Sequence, residues 1–259
     1  MDTGGATMRL TQRGLREITC EAYGPGAAEA VSAAPVMLGA GDDDRSFIPR
    51  HPLLSDAHRR FTGLRIPRTM RVLEALVPAI LEQKVIAIQA TASWRMLVRE
   101  HGSPAPGPTP VPMRIVPSPR DWATIPSWEW HRAGVDPRRS RTVVNAARVS
   151  HRLEEATMMD VAAAADRLCA VPGVGEWTAA ETAQRAFGDA DALSVGDYHL
   201  AGYIGHAMFG RPFTDDDMLE ALEPWRGHRY RVVRLLESAG VPGRPRRGPR
   251  MSLVDHRGH

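Results

Sequence analysis

At 259 residues, 43% hydrophobic and 24% charged, the chain is long enough for a substantial core. It has neither an apolar run of membrane-spanning length nor a signal-peptide centre, so a cytoplasmic protein without membrane contact is expected. Cys20 and Cys169 are the only cysteines, which excludes a four-cysteine iron–sulfur cluster and disfavours cysteine-based zinc; the formal charge is only +3, and Lys84 is the only lysine among 33 basic residues. Arginine suits phosphate because its fork donates in pairs and stays charged, but net charge alone does not decide for nucleic acid.

In chain order, one strand is expected near 16–22, then a Gly-Pro-Gly turn and an alanine-rich helix near 27–33. A lone strand or hairpin cannot bury a sheet face, so residues 1–46 read as part of a small α+β unit. Over 70–100 the apolar residues, Val72, Leu76 and Ile80 among them, fall at helical spacing and predict two helices broken at 82–85. The proline-rich SPAPGPTPVP at 103–112 is a loop. Helices are expected over 121–132 and from the Asp136-Pro137 cap to His151. Further helices follow over 158–170, 176–187, 197–208 and 215–237, and the Gly-, Pro- and Arg-rich tail reads as flexible. No internal repeat is visible, and the architecture is mainly α.

The stretch VPGVGEWTAA at 171–180 joins two of these helices. A dinucleotide-binding loop needs a preceding strand and a third glycine, and a P-loop needs Lys-Ser or Lys-Thr; neither condition is met. A helix–hairpin–helix remains: Gly173 and Gly175 permit a tight turn, Pro172 fixes the entry, and free amides at the second helix's start can hold a DNA phosphate. A ligand-free turn between helices is the alternative that PGVG alone leaves open. Twenty residues after Trp177, DALSVGDYHL places Asp197 behind a glycine at the start of a helix.

The hairpin and this aspartate resemble the helix–hairpin–helix (HhH-GPD) DNA glycosylases, specifically the DNA-3-methyladenine glycosylase II (AlkA-like) branch. HPLLSDAHRRFTGLRIPRTMRVLEALVPAILEQKV looks like the family's entry segment and first barrel helix. IVPSPRDWATIPSWEWHRAGVDPRRSRTVVNAA resembles its middle helices and EPWRGHRYRVVRLL its closing helix, so the likeness runs over 51–237. The resemblance implies two helical subdomains with a cleft between them. Residues 72–189 would form a barrel containing the hairpin, and 47–71 with 190–240 a second domain bearing Asp197. Residues 1–46 would be a truncated remnant of an N-terminal α+β domain, and 241–259 a basic flexible tail.

The resemblance also implies the chemistry. Losing a base builds positive charge on the sugar, and an ionised Asp197 beside C1′ would stabilise it and orient water. By spacing alone Asp197 could be a helix cap, and Asp160, Asp189 and Asp191 lie nearby. Bifunctional relatives carry a nucleophilic lysine where this chain has Trp177, so a monofunctional enzyme without a lyase step is implied. Trp177 would stack on the extruded base, or else be core. Glu181, one turn further on, and Arg234 stand where relatives have aromatic residues. Glu181 could read a base amino group or protonated ring nitrogen, or be solvated or paired with an arginine.

Gln83 and Lys84 correspond to the family's wedge beside the orphan base, with solvated surface as the alternative. Gly173, Val174, Gly175, Trp177 and Thr178 would grip phosphate. A structural Na+ or K+ would sit on the carbonyls of Cys169, Val171 and Pro172 or Val174. Arg138, Arg139 and Arg141, with Arg244, Arg246, Arg247 and Arg250 of the tail, are candidate nonspecific DNA contacts. His199 and His206 have no carboxylates clustered around them, so they read as surface residues and not as zinc ligands. The expected function is excision of a damaged, alkylated purine from double-stranded DNA by a monomer that requires no cofactor. The alternatives are a noncatalytic lesion-sensing DNA binder and a glycosylase for oxidised or deaminated bases.

Overall fold

A computed structural model describes residues 4–243; the tail arginines Arg244, Arg246, Arg247 and Arg250 lie outside the described residues. Strands β1 (Thr7–Arg13) and β2 (Glu17–Tyr23) form an antiparallel hairpin in which Leu10 faces Cys20. The sequence predicts only the second strand, because β1 carries just Met8 and Leu10 as apolar residues and depends on its partner for definition. Helix α1 (Ala27–Met37) packs on this hairpin.

Helices α2 (Pro52–Arg60), α3 (Val72–Leu81) and α4 (Ala87–His101) follow, and then two short paired strands, β3 (Ser103–Pro104) and β4 (Arg114–Ile115), which bracket the proline-rich loop. Next come α5 (Pro119–Thr124), α6 (Ser127–Arg132), α7 (Pro137–Arg148), α8 (Ser150–Glu154) and α9 (Val161–Cys169). The last helices are α10 (Glu176–Ala186), α11 (Leu200–Phe209), α12 (Asp215–Leu222) and α13 (Arg229–Ser238).

Several boundaries differ from the periodicity, each for a local reason. Pro126 ends α5 and becomes the N-cap of α6, dividing the helix expected over 121–132. The helix expected over 215–237 divides at Glu223–Trp225, where Pro224 lacks an amide and Gly227 takes φ +90°. Asp160 accepts from the Ala163 amide at 2.9 Å and starts α9 at Val161. The helix expected from 136 to 151 ends at Arg148 and restarts as α8.

Two hydrophobic cores result. In the first, α3 is the central helix: Leu76, Ile80 and Leu81 are fully buried against Leu97, Val143, Ala146 and Leu168. Trp122 and Trp130 stack at its edge with ring centroids 5.9 Å apart. In the second, Leu54 of α2 meets Ile204, Met218, Leu222, Val232 and Leu236 of the last three helices. Each such buried aliphatic contributes roughly 1.5–3 kcal/mol relative to exposure.

Polar ties hold the second core to segments that precede it. The guanidinium of Arg231 forms an ion pair with Asp42, the two side chains being 2% and 3% exposed, and Asp42 also accepts from the Ile66 amide at 3.0 Å. Asp191 accepts from the Gly227 and Arg229 amides at 2.8 and 3.0 Å and pairs with the Arg229 side chain, fixing the start of α13.

Asp42→Ala would strand the buried Arg231 charge, and a loss of about 3–5 kcal/mol in denaturant unfolding is expected. A loss below about 1 kcal/mol, typical of surface pairs, would show that the pair is not structural.

Candidate active site and nucleic-acid interface

The turn from α9 into α10 is fixed by one glycine. Gly173 has φ +96°, and a Cβ there would lie 2.2 Å from the Thr142 hydroxyl on α7, so both conformation and space exclude a side chain. Gly175 is different: its φ is −112° and nothing lies within 4 Å of a Cβ placed there, so its role is to leave the start of α10 open. Among the described residues the amides of Gly173, Gly175, Glu176, Trp177 and Thr178 donate no backbone hydrogen bond. Unfilled amides at a helix start form the positive end of its dipole.

Gln83 ends up differently from Lys84. The Gln83 amide donates to the Gly173 carbonyl at 3.0 Å and to the Thr178 hydroxyl at 2.8 Å, which fastens the α3–α4 break to the hairpin. Lys84 is left exposed at the tip of the break with φ +55°, a left-handed conformation that non-glycine residues seldom take.

Asp197 takes the cap role considered from the sequence and keeps its second oxygen for the hairpin helix. One carboxylate oxygen accepts from the amides of His199 and Leu200 at 2.7 and 2.9 Å, organising the entry to α11; this is why the helix begins at Leu200 and not at 197. The other accepts from the Trp177 indole N–H at 3.1 Å. Trp177 is therefore half-buried between hairpin and aspartate, where its ring N–H orients the carboxylate. It does not line the cavity.

That cavity, of about 400 Å³, opens beside Asp197 between α10, the segment leading to α11, and α13. Glu181, Ser194, Tyr203, Tyr230 and Arg234 line it. Glu181 accepts from the Ser194 hydroxyl and from Arg185 at 2.6 Å, so of the alternatives for this carboxylate the arginine pair is present. Arg234 pairs with Glu237 at 2.8 Å on the same wall. His199, expected on the surface, also lines the cavity, and its ring meets the exposed Tyr198 edge-on at 4.8 Å.

Tyr203 and Tyr230 escaped the sequence reading. Tyr230 stands one turn before Arg234, so the helical spacing of EPWRGHRYRVVRLL could have placed both on one face. Burial, reinforced by Glu237, pushes the Tyr203 phenol up to about 12, and burial raises that of Tyr230 as well; both therefore stay protonated near neutrality.

The other nearby aspartates have structural partners: Asp160 caps α9, Asp191 holds Arg229, and Asp189 accepts from the Asp191 amide at 2.8 Å. Arg139 is not a DNA contact. It is 4% exposed, donates to the Leu81 carbonyl at 2.6 Å and pairs with Asp136, whereas Arg138 and Arg141 are exposed. No helix among the described residues is long and apolar enough to cross a membrane.

No family model matches the sequence. The chain is 32% identical over 167 residues to the Mycobacterium tuberculosis protein named probable bifunctional transcriptional activator/DNA repair enzyme AlkA. That match covers 63% of this chain and 31% of the relative, so the chain spans about a third of the relative's length. A 3-methyladenine DNA glycosylase from Archaeoglobus fulgidus superposes with TM-score 0.71 at 18% identity, over 89% of this chain and 80% of that one. The Clostridium acetobutylicum 8-oxoguanine glycosylase/lyase, solved with double-stranded DNA, gives 0.69 at 13% identity, over 90% and 82%. At these identities the likeness is one of fold.

The two hairpin glycines should respond differently. Gly173→Ala adds both left-handed strain, about 1–2 kcal/mol, and a clash with Thr142, so a lowered melting temperature is expected. Gly175→Ala should leave the melting temperature nearly unchanged, and equal losses in the two variants would contradict this account of the turn.

Proposed function

We propose that this chain, built on the helical fold of the helix–hairpin–helix DNA glycosylases, is a monofunctional DNA glycosylase of base excision repair. It extrudes a damaged, alkylated purine from double-stranded DNA and hydrolyses the N-glycosidic bond. The observation that carries the proposal is the Asp197 carboxylate. It stands at the wall of a base-sized cavity, oriented by two backbone amides and by the Trp177 N–H on the helix leaving the glycine turn.

In this mechanism the open amides at the start of α10 take a DNA phosphate, and exposed Arg138 and Arg141 add charge along the backbone. The extruded base enters the cavity, which Tyr203 and Tyr230 line, the Tyr203 hydroxyl being committed to the Val241 carbonyl at 3.2 Å. As the bond to the base breaks, positive charge grows at C1′. The fixed anion of Asp197 stabilises it without reorganising and orients the water that completes hydrolysis. Trp177 has no amine to attack C1′, so no Schiff base forms at this position and the product is an abasic site.

Cys169 and Val174 have carbonyls that accept no hydrogen bond among the described residues, and the Val171 carbonyl accepts only the Val174 amide at 3.0 Å. This all-oxygen donor set suits a hard ion such as Na+ or K+, which would supply positive charge beside a bound phosphate.

Single-turnover release from duplexes carrying 3-methyladenine, 7-methylguanine, hypoxanthine, ethenoadenine, uracil or 8-oxoguanine tests the proposal. Asp197→Asn is expected to slow release by about 10³-fold while DNA binding persists. Full activity in that variant would remove Asp197 from the mechanism, and wild-type binding with no release from any duplex would favour a lesion-sensing protein. Borohydride should trap no covalent adduct; a trapped adduct would contradict the monofunctional reading.

A further inference from the structure

One carboxylate of the cavity lining is held on both of its oxygens. Glu181 lines the cavity from α10 with its side chain 14% exposed, and its carboxylate is held by a relay of donors that line the same cavity. The Gln184 amide donates to the Ala192 carbonyl and to the Ser194 hydroxyl oxygen, both at 3.0 Å. The Ser194 hydroxyl in turn spends its proton on Glu181 Oε1. Arg185 takes Oε2 at 2.6 Å and the Glu181 carbonyl at 2.7 Å. Ser194 and Gln184 are 3% and 5% exposed, so the relay is part of the packed interior and sets the carboxylate's orientation.

An ionised carboxylate only accepts hydrogen bonds, and its two oxygens offer about four lone-pair sites. Two of these are taken by Ser194 and Arg185. One remains on each oxygen, and Glu181 itself lines the cavity. The matching ligand face has two adjacent N–H donors, as the guanidinium fork of arginine does. Among purine bases, guanine presents that face, with N1–H next to the exocyclic amino group. Adenine sets a bare ring nitrogen beside its amino group, and hypoxanthine offers N1–H with no amino neighbour, so each leaves one carboxylate oxygen without a donor.

We propose that Glu181 is a specificity-determining residue that accepts the N1–H and amino N–H of a flipped guanine-type base, so that the preferred lesion is a guanine alkylated at N7. This rests on the glycosylase reading. Alkylation at N7 leaves both donors intact and gives the ring a positive charge, which the same carboxylate attracts. 8-Oxoguanine has the donors but not the charge, and 3-methyladenine lacks the paired donors. Ser194 acts as a positioning residue, because its one hydroxyl proton is committed to the Glu181 carboxylate.

The test is single-turnover base release from duplexes carrying 7-methylguanine, 8-oxoguanine, 3-methyladenine or hypoxanthine. Wild type, Glu181→Gln and Ser194→Ala are compared, with thermal melting to confirm that each variant folds. Wild type is expected to release 7-methylguanine fastest. In Glu181→Gln the ratio of 7-methylguanine to hypoxanthine release should fall by about 10- to 100-fold, because the amide turns a donor towards the base N–H groups. Ser194→Ala should lower the same ratio to a smaller degree. Equal slowing of all four bases in Glu181→Gln, or a wild type that prefers 3-methyladenine, overturns the role of Glu181 and leaves the glycosylase reading standing. Release of no base from any duplex overturns both.

Discussion

The hydrogen bond from the Trp177 indole to Asp197 is the interaction on which the rest of the site depends. It joins α10, packed in the first core through Ala179 and Ala186, to the segment that leads into the second core at Ala201 and Ile204. Neither core alone specifies where the carboxylate points. The aspartate has one oxygen committed to the start of α11 and the other to the first turn of α10, so its orientation follows from both helices at once. The Gln184–Ser194–Glu181 relay repeats this arrangement along the same cavity. Polar contacts cross at the places where the hydrophobic cores part.

This division of labour has a physical basis. Apolar packing is non-directional and tolerates small rotations, whereas hydrogen bonds to a charged group lose strength quickly when misaligned. A cleft that must hold a reacting group within a fraction of an ångström is therefore better lined with short polar contacts than with more leucine. The buried Asp42–Arg231 pair does the same for the far side of the second core. It gives α13, and with it Tyr230 and Arg234, a fixed rotation about the helix axis.

Much of this was readable from residue order, for reasons that mark where such reading ends. Helix α3 was visible because nearly its whole length is buried, and the glycine turn because φ +96° at Gly173 demands that residue type. Breaks at Pro126 and Pro224 are masked in the sequence, since the apolar spacing continues past them. The engagement of Gln83 by the hairpin was invisible because it spans ninety positions. In sequence Arg139 stands with Arg138 and Arg141 as a candidate DNA contact for a related reason: its burial depends on the Leu81 carbonyl, fifty-eight residues away. Local rules reported the helices, the cap at Asp136 and the turn. Contacts set by tertiary packing, including the pairing of Ser194 with Glu181, left no sequence trace.

The tie between Gln83 and the hairpin also bears on how DNA would be handled. Two donor contacts clamp the α3–α4 break to the same turn whose open amides face outward, and the left-handed Lys84 sits at the end of that clamp. On the proposed reading the wedge and the phosphate grip would then be tied to one another. With the tip so tied, much of the energy that separates a damaged site from a sound one would lie in how readily that stretch of DNA bends and unstacks.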